Sequence, residues 1–254
     1  MNDSLLGAVW AWLTDPANWS GSAGIPVRLW EHVWISGVSV LIAALVGLPV
    51  ALVLGHLGRG GALASAVANL GRAVPTLAVL VILVLSPEPF GITNVVTCTV
   101  AALVLFAIPP ILTNAYAGMR GVDADLVEAA RGMGLTGRQV LFRVELPLAV
   151  PLVVAGLRIA TAQVIATATI AAIIAGPGLG RFITAGFGNQ DTAQLIGGAV
   201  LVALFAVAVE LAFQLLQRRL TPARSSRAVG EAEVDEAEAA DRPGTTDRQR
   251  VPTG

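Results

Sequence analysis

Apolar residues run along this chain in long blocks, without the alternation of a half-buried strand or the narrow stripe of a surface helix. Five blocks lie near residues 33–54, 63–85, 95–117, 148–174 and 194–217. A helix needs about 20 residues to cross a hydrocarbon core, so each block predicts one membrane span. The second is interrupted by Asn69, Arg72 and Pro75. Its first turns are expected at the interface, with a kink at Pro75, whose ring removes a backbone donor. Composition agrees with several spans rather than one anchor. The chain is 55% hydrophobic and 13% charged, whereas a soluble domain carries about 25% charged residues. Its mean hydropathy is +0.75.

Charge orients the spans. Every basic residue is Arg, and Arg120, Arg131, Arg138 and Arg143 fall between spans three and four. Placing that segment in the cytoplasm also puts Arg59, Arg218, Arg219, Arg224 and Arg227 inside, leaving only Arg28 and Arg181 on the outer side. Cytoplasmic loops are enriched in Arg and Lys, so the N-terminus is expected outside and the C-terminus inside the cell membrane. All five tryptophans (Trp10, Trp12, Trp19, Trp30 and Trp34) fall within the first 34 residues. Trp favours the headgroup level, so residues 1–32 read as an interfacial leader on the outer face, or more plainly as a leader touching lipid. Residues 33–221 form the transmembrane domain. From 222 to 254 the chain turns to Ser, Arg, Glu, Ala and Thr without apolar periodicity, predicting a disordered cytoplasmic tail.

Several function classes drop out. A net charge of -1 argues against a nucleic-acid partner. The single Cys98 excludes an intrachain disulfide and a cysteine metal cluster. His32 and His56 are separated by a predicted span, so they are not expected to share a ligand. No phosphate-binding glycine loop and no H-E-x-x-H occurs, so neither a catalytic nor a metal site is expected. The opening Met1-Asn2-Asp3 has no basic segment or cleavage site of the kind a signal peptide carries.

The segment 120–147 is different in character. Its polar residues read as two short helices joined by a turn. Asp123 suits an N-cap and Gly134 the left-handed residue ending the first helix. Thr136 and Gln139 have the spacing of a capping box for the second, and Pro147 marks the start of span four. A compact helix-turn-helix on the cytoplasmic face of a polytopic protein has the form of a docking element.

The same residues resemble a family pattern. Importer permeases of the ATP-binding-cassette superfamily carry E-A-A-x3-G-x9-I-x-L-P in this loop. Here Glu128-Ala129-Ala130, Gly134, Val144 and Leu146-Pro147 match it, with Val144 in place of Ile. Pro75-Thr-Leu-Ala, Gly121-Val-Asp, Val144-Glu-Leu-Pro-Leu-Ala, Ala155-Gly-Leu-Arg158 and Ala175-Gly-Pro-Gly-Leu-Gly180 extend the likeness over roughly residues 30 to 217. Together they resemble the osmoprotectant branch, which imports glycine betaine, choline, carnitine and related amines. The methionine-type permeases share the fold and the loop but less of this text.

The resemblance implies an all-α integral membrane protein with about five spans and a cytoplasmic coupling loop, in the methionine-permease type of fold. It implies alternating access, with no cofactor on this chain: ATP and Mg would sit on a cytoplasmic ATPase dimer. A second permease subunit, identical or a sister, would complete the pore, and an extracytoplasmic binding protein would deliver the cargo. Glu128 would reach into the ATPase groove, Ala129 and Ala130 would allow close approach, and Gly134 would set the turn. Methionine or another small solute is the alternative cargo. A secondary transporter is a weaker alternative, since such proteins usually carry acidic or His relays in their spans or inverted repeats, and here only Glu210 would serve. For a non-transporting membrane scaffold the loop would be coincidence.

Arg158 and Glu210 are the main ionisable residues inside predicted spans. Either alone would be costly in lipid, so they read as a gate or as an ion pair between spans four and five. Thr161, Gln163, Thr167 and Thr169 line a polar path or bond between helices. The turn Gly176–Gly180 reads as an outer gate surface or an ordinary tight loop. The span aromatics Phe106, Tyr116, Phe205 and Phe213 are scattered, with no cage for a quaternary amine. Selectivity is therefore expected in the binding protein.

Overall fold

The computed structural model describes residues 2–85 and 94–220. The expected disordered tail and the turn after span two fall outside these residues. Everything described is helix or short connection: α1 (Asn2–Thr14), α2 (Pro16–Trp19), α3 (Ile25–His56), α4 (Gly61–Ala73), α5 (Thr76–Leu85), α6 (Val95–Arg120), α7 (Ala124–Gly132), α8 (Gly137–Val140), α9 (Leu146–Ala171), α10 (Gly180–Gly188) and α11 (Thr192–Leu220). A π-helical turn, Leu141–Glu145, joins α8 to α9, and a 3-10 turn, Ala172–Ile174, follows α9.

Four helical segments are long and apolar enough to cross a membrane: Ile25–His56, Val95–Arg120, Gly137–Ile174 and Thr192–Leu220. The second predicted span is the bent pair α4–α5, turned by 79°. Its break falls between Ala73 and Thr76, where Pro75 lacks the donor that would continue the ladder. The described residues are therefore all-α with four spans, or five if the bent pair counts as one.

Two boundaries differ from the apolar blocks. The helix of the first span begins at Ile25, ahead of the apolar block at 33. Pro26 is accommodated in the first turn, and Arg28 pairs with Glu31 at 2.9 Å, so polar residues extend the helix outward by two turns. The second loop helix is not separate from span four, because α8, the π turn and α9 are continuous. Pro147 cannot donate to the carbonyl four residues earlier and its ring presses on it; the wider turn, closed by Leu146 N–H on Leu141 C=O, absorbs this without stopping the helix.

The core lies where α3, α6 and α9 meet. Ile35 and Ala43 pack with Leu103, Ala107, Ile111, Ala160, Val164 and Ala168, all at most 1% exposed. Lipid tails are as apolar as these side chains, so close contact rather than water exclusion holds the helices together. Gly156 shows how close: a Cβ there would lie 2.8 Å from Asn114 Cβ and 2.9 Å from Pro110 O. Outside this core, α10 and α1 lean on α11. Trp12 sets its ring edge-to-face on Phe182 at 5.3 Å. Trp10, Trp19, Trp30 and Trp34 remain exposed, as headgroup contacts would require.

Candidate functional site

The helix-turn-helix of residues 120–147 is built as its residues dictate. Asp123 caps α7, its carboxylate accepting the Asp125 N–H at 2.9 Å. At the other end Gly134 has φ +85°, and nothing lies within 4 Å of where a Cβ would be. Glycine is needed there for its dihedral and not for space. Gly134 N–H donates to Arg131 C=O at 2.9 Å and Leu135 N–H to Ala130 C=O at 3.2 Å, the paired bonds of a Schellman ending. Thr136 and Gln139 close a reciprocal capping box.

This folding sorts the motif residues. Ala130 is buried under the turn, Val144 and Leu146 are half-buried in the π turn and at the start of α9, and Pro147 is exposed. Glu128 and Ala129 are exposed on α7, and the Glu128 carboxylate has no hydrogen bond among the described residues. Leu126 (46% exposed) and Met133 (76%) flank them. The loop thus presents one carboxylate between two large apolar side chains, on a short helix fixed at both ends. Leu126 and Met133 carried no role in the sequence reading. The signal for Met133 was its place between Gly132 and Gly134, where a large apolar side chain has nothing of its own chain to cover it.

Beneath α7 lies a cleft of about 620 Å³ lined by His56, Arg120, Glu128, Arg131 and Glu145, among others. At its floor His56 Nδ1 meets Glu145 Oε2 at 2.5 Å, tying the inner end of α3 to the π turn. The Glu145 side chain is only 7% exposed. Glu145 stands at the variable position of the motif and was passed over. A buried carboxylate needs a partner, and His56 supplies it from 89 residues away.

The outer end of α3 is tied in a parallel way. Ala175 and Gly178 adopt φ +64° and +105°, turning the chain back towards α3. Gly178 N–H donates to Glu31 Oε2 at 3.0 Å, and Leu179 N–H to His32 Nδ1 at 3.2 Å. Because Nδ1 accepts, the ring proton sits on Nε2, which donates to Ile165 C=O at 3.2 Å. His32 is fully buried and neutral in this arrangement. The two histidines mark the two ends of one helix.

Arg158 and Glu210 are brought together as an ion pair between α9 and α11, with each side chain about a third exposed (35% and 33%). Gln217 accepts from Arg158 at 3.4 Å and Gln214 donates to Glu210 at 3.3 Å, so the pair sits in a small polar cluster. Of the span-four hydroxyls, Thr161 and Thr169 donate to carbonyls of their own helix, at 2.8 and 3.1 Å.

Comparison with known proteins follows the same outline. Residues 40–226 match the family described as "Binding-protein-dependent transport system inner membrane component". The choline transport system permease protein OpuBB of Bacillus subtilis is 34% identical over 200 residues, covering 79% of this chain and 90% of that one. The carnitine transport permease protein OpuCB of Listeria monocytogenes is 36% identical over 208 residues, covering 81% and 93%. Among solved structures, an inward-facing MetNI methionine ABC transporter chain superposes with a TM-score of 0.70 at 23% identity, covering 82% of this chain and all of that one. That likeness concerns the fold.

Proposed function

We propose, on the premise that this chain belongs to the family of binding-protein-dependent transport system inner membrane components, that its cargo is a quaternary-amine osmoprotectant such as glycine betaine, choline or carnitine. The chain is a multi-pass permease subunit of an ATP-driven importer. The observation that carries the cargo is the agreement, over about four fifths of the chain, with permeases named for choline and carnitine. The short helix α7, which carries Glu128 and ends at the Gly134 turn, supports the coupling role. It has the exposed charge and apolar flanks of a surface that docks into a groove.

In this reading hydrolysis takes place on a separate cytoplasmic ATPase pair, and a second permease subunit closes the pore. Closure of the ATPases pushes α7. The push crosses the turn at Gly134 and then reaches span four without a further joint, because α8, the π turn and α9 are one helix. It reaches span one through His56–Glu145 and span five through Arg158–Glu210. The tie between α3 and the turn at 175–180 then passes the movement to the outer face, where the binding protein releases its cargo.

Cells without osmoprotectant uptake should gain uptake of radiolabelled glycine betaine or choline when given this subunit with its ATPase and binding protein. Uptake of methionine but of neither amine would replace the cargo assignment. For orientation, a reporter active only in the cytoplasm should work when fused after Arg219 and fail when fused at Gln190, between α10 and α11. A strong signal at Gln190 would invert the topology and remove α7 from the ATPase side.

A further inference from the structure

The α3–α6–α9 core leaves one side of α6 and α9 uncovered by α3. There a cleft of about 390 Å³ opens between the end of α4, Pro109–Asn114 of α6, and Ile159 and Gln163 of α9. Among the described residues its lining contains no ionisable group, yet it is polar near the middle of two spans. Thr113 donates its hydroxyl to Pro109 C=O and Asn114 its amide N–H to Pro110 C=O, both at 2.8 Å. These are carbonyls of the same proline-broken turn. Thr113 thereby spends its one donor inside the helix and Asn114 one of its two, which leaves the hydroxyl and amide oxygens as acceptors beside the remaining amide N–H groups. The Gln163 carboxamide bonds to nothing among the described residues.

An unpaired carboxamide facing lipid is costly, because hydrocarbon offers it no partner. The neighbouring Ile159 is 49% exposed, so no described residue covers this face. The face must therefore meet water, cargo or another subunit.

We propose that this cleft is the cargo-facing wall of the translocation path, with Gln163 as the residue that contacts the cargo. The chemistry it fits is a small solute whose positive charge is spread over methyl groups and donates no hydrogen bond. Amide and hydroxyl oxygens attract such a charge as dipoles, without a fixed anion that would hold it too tightly to release. The inference rests on the importer reading above and adds the residue and the ligand class.

The test uses the complete transporter in proteoliposomes, with Cys98→Ala as background. In Gln163→Cys, the thiol should react with trimethylammonium-ethyl methanethiosulfonate at least about tenfold faster than in Leu45→Cys, an exposed position on α3, because thiolate reactivity follows access to water. Glycine betaine delivered by the binding protein should slow the reaction. Separately, Gln163→Leu should raise the KM for glycine betaine by about five- to tenfold, the scale of one lost polar contact. Gln163→Asn should recover part of it, and all variants should still co-purify with the ATPase. Equal labelling at the two positions, or an unchanged KM in Gln163→Leu, would overturn the assignment. If the unmodified transporter moved no quaternary amine, the cargo reading would fall, while the labelling contrast would still judge whether the cleft faces the aqueous path.

Discussion

Glu128→Arg is expected to reduce ATP-dependent uptake by about 100-fold or more, because reversing a charge at a docked contact costs several kcal/mol and each 1.4 kcal/mol is tenfold. The subunit should still insert and fold. The Glu128 carboxylate is exposed and has no hydrogen bond among the described residues, so the fold loses nothing by the change. Basal hydrolysis by the isolated ATPase should be unaffected, whereas stimulation by the loaded binding protein should vanish. Gly134→Val should give a similar loss by another route. A β-branched residue at φ +85° is strained by roughly 1–2 kcal/mol or more, and relief would open the Schellman bonds that fix the end of α7. Gly134→Ala, which adds no clash, should show a smaller loss from the dihedral alone. Normal uptake by a correctly inserted Glu128→Arg subunit would mean the loop transmits no force.

The second large effect concerns the pair inside the membrane. Glu210→Ala leaves Arg158 with Gln217 alone, a charge in a span without its counter-ion. The amount of inserted, assembled subunit should fall several-fold, the usual response of abundance to a modest loss of stability. The double change Arg158→Leu with Glu210→Leu removes both charges and should restore much of that assembly. The single losses would then be far from additive. The same cycle separates the two readings of the pair. A purely structural clasp predicts that the double variant recovers uptake together with assembly. A gate predicts an assembled transporter whose uptake stays low. Strictly additive losses of assembly would leave no coupling between the two residues.

How much of this was legible in the sequence depended on the range of the interaction. The spans and the kink at Pro75 follow from local hydrophobicity and from a missing donor. The Asp123 cap, the turn at Gly134 and the Thr136–Gln139 box follow from contacts two to five residues apart, which short motifs encode. The extension of span one to Ile25 was missed because apolar blocks ignore polar residues that pair along a helix, as Arg28 and Glu31 do. The continuity of α8 with α9 was missed because a proline was read as a boundary, whereas a π turn absorbs it. Least legible were the ties at the ends of α3. His56 meets Glu145 across 89 positions and His32 meets Leu179 across 147. Their pattern carries no period, and each histidine taken alone looked like an isolated polar residue. The Arg158–Glu210 partnership was legible only because two charges in apolar spans have few places to go.

The most direct test of the whole account is uptake of radiolabelled glycine betaine into proteoliposomes holding this subunit with its ATPase and permease partners. ATP is placed on the ATPase side and the loaded binding protein on the other. The account predicts accumulation that needs both ATP and binding protein, and that disappears in Glu128→Arg while the complex stays intact. Accumulation driven by a proton or sodium gradient without ATP, and unchanged in Glu128→Arg, would contradict it.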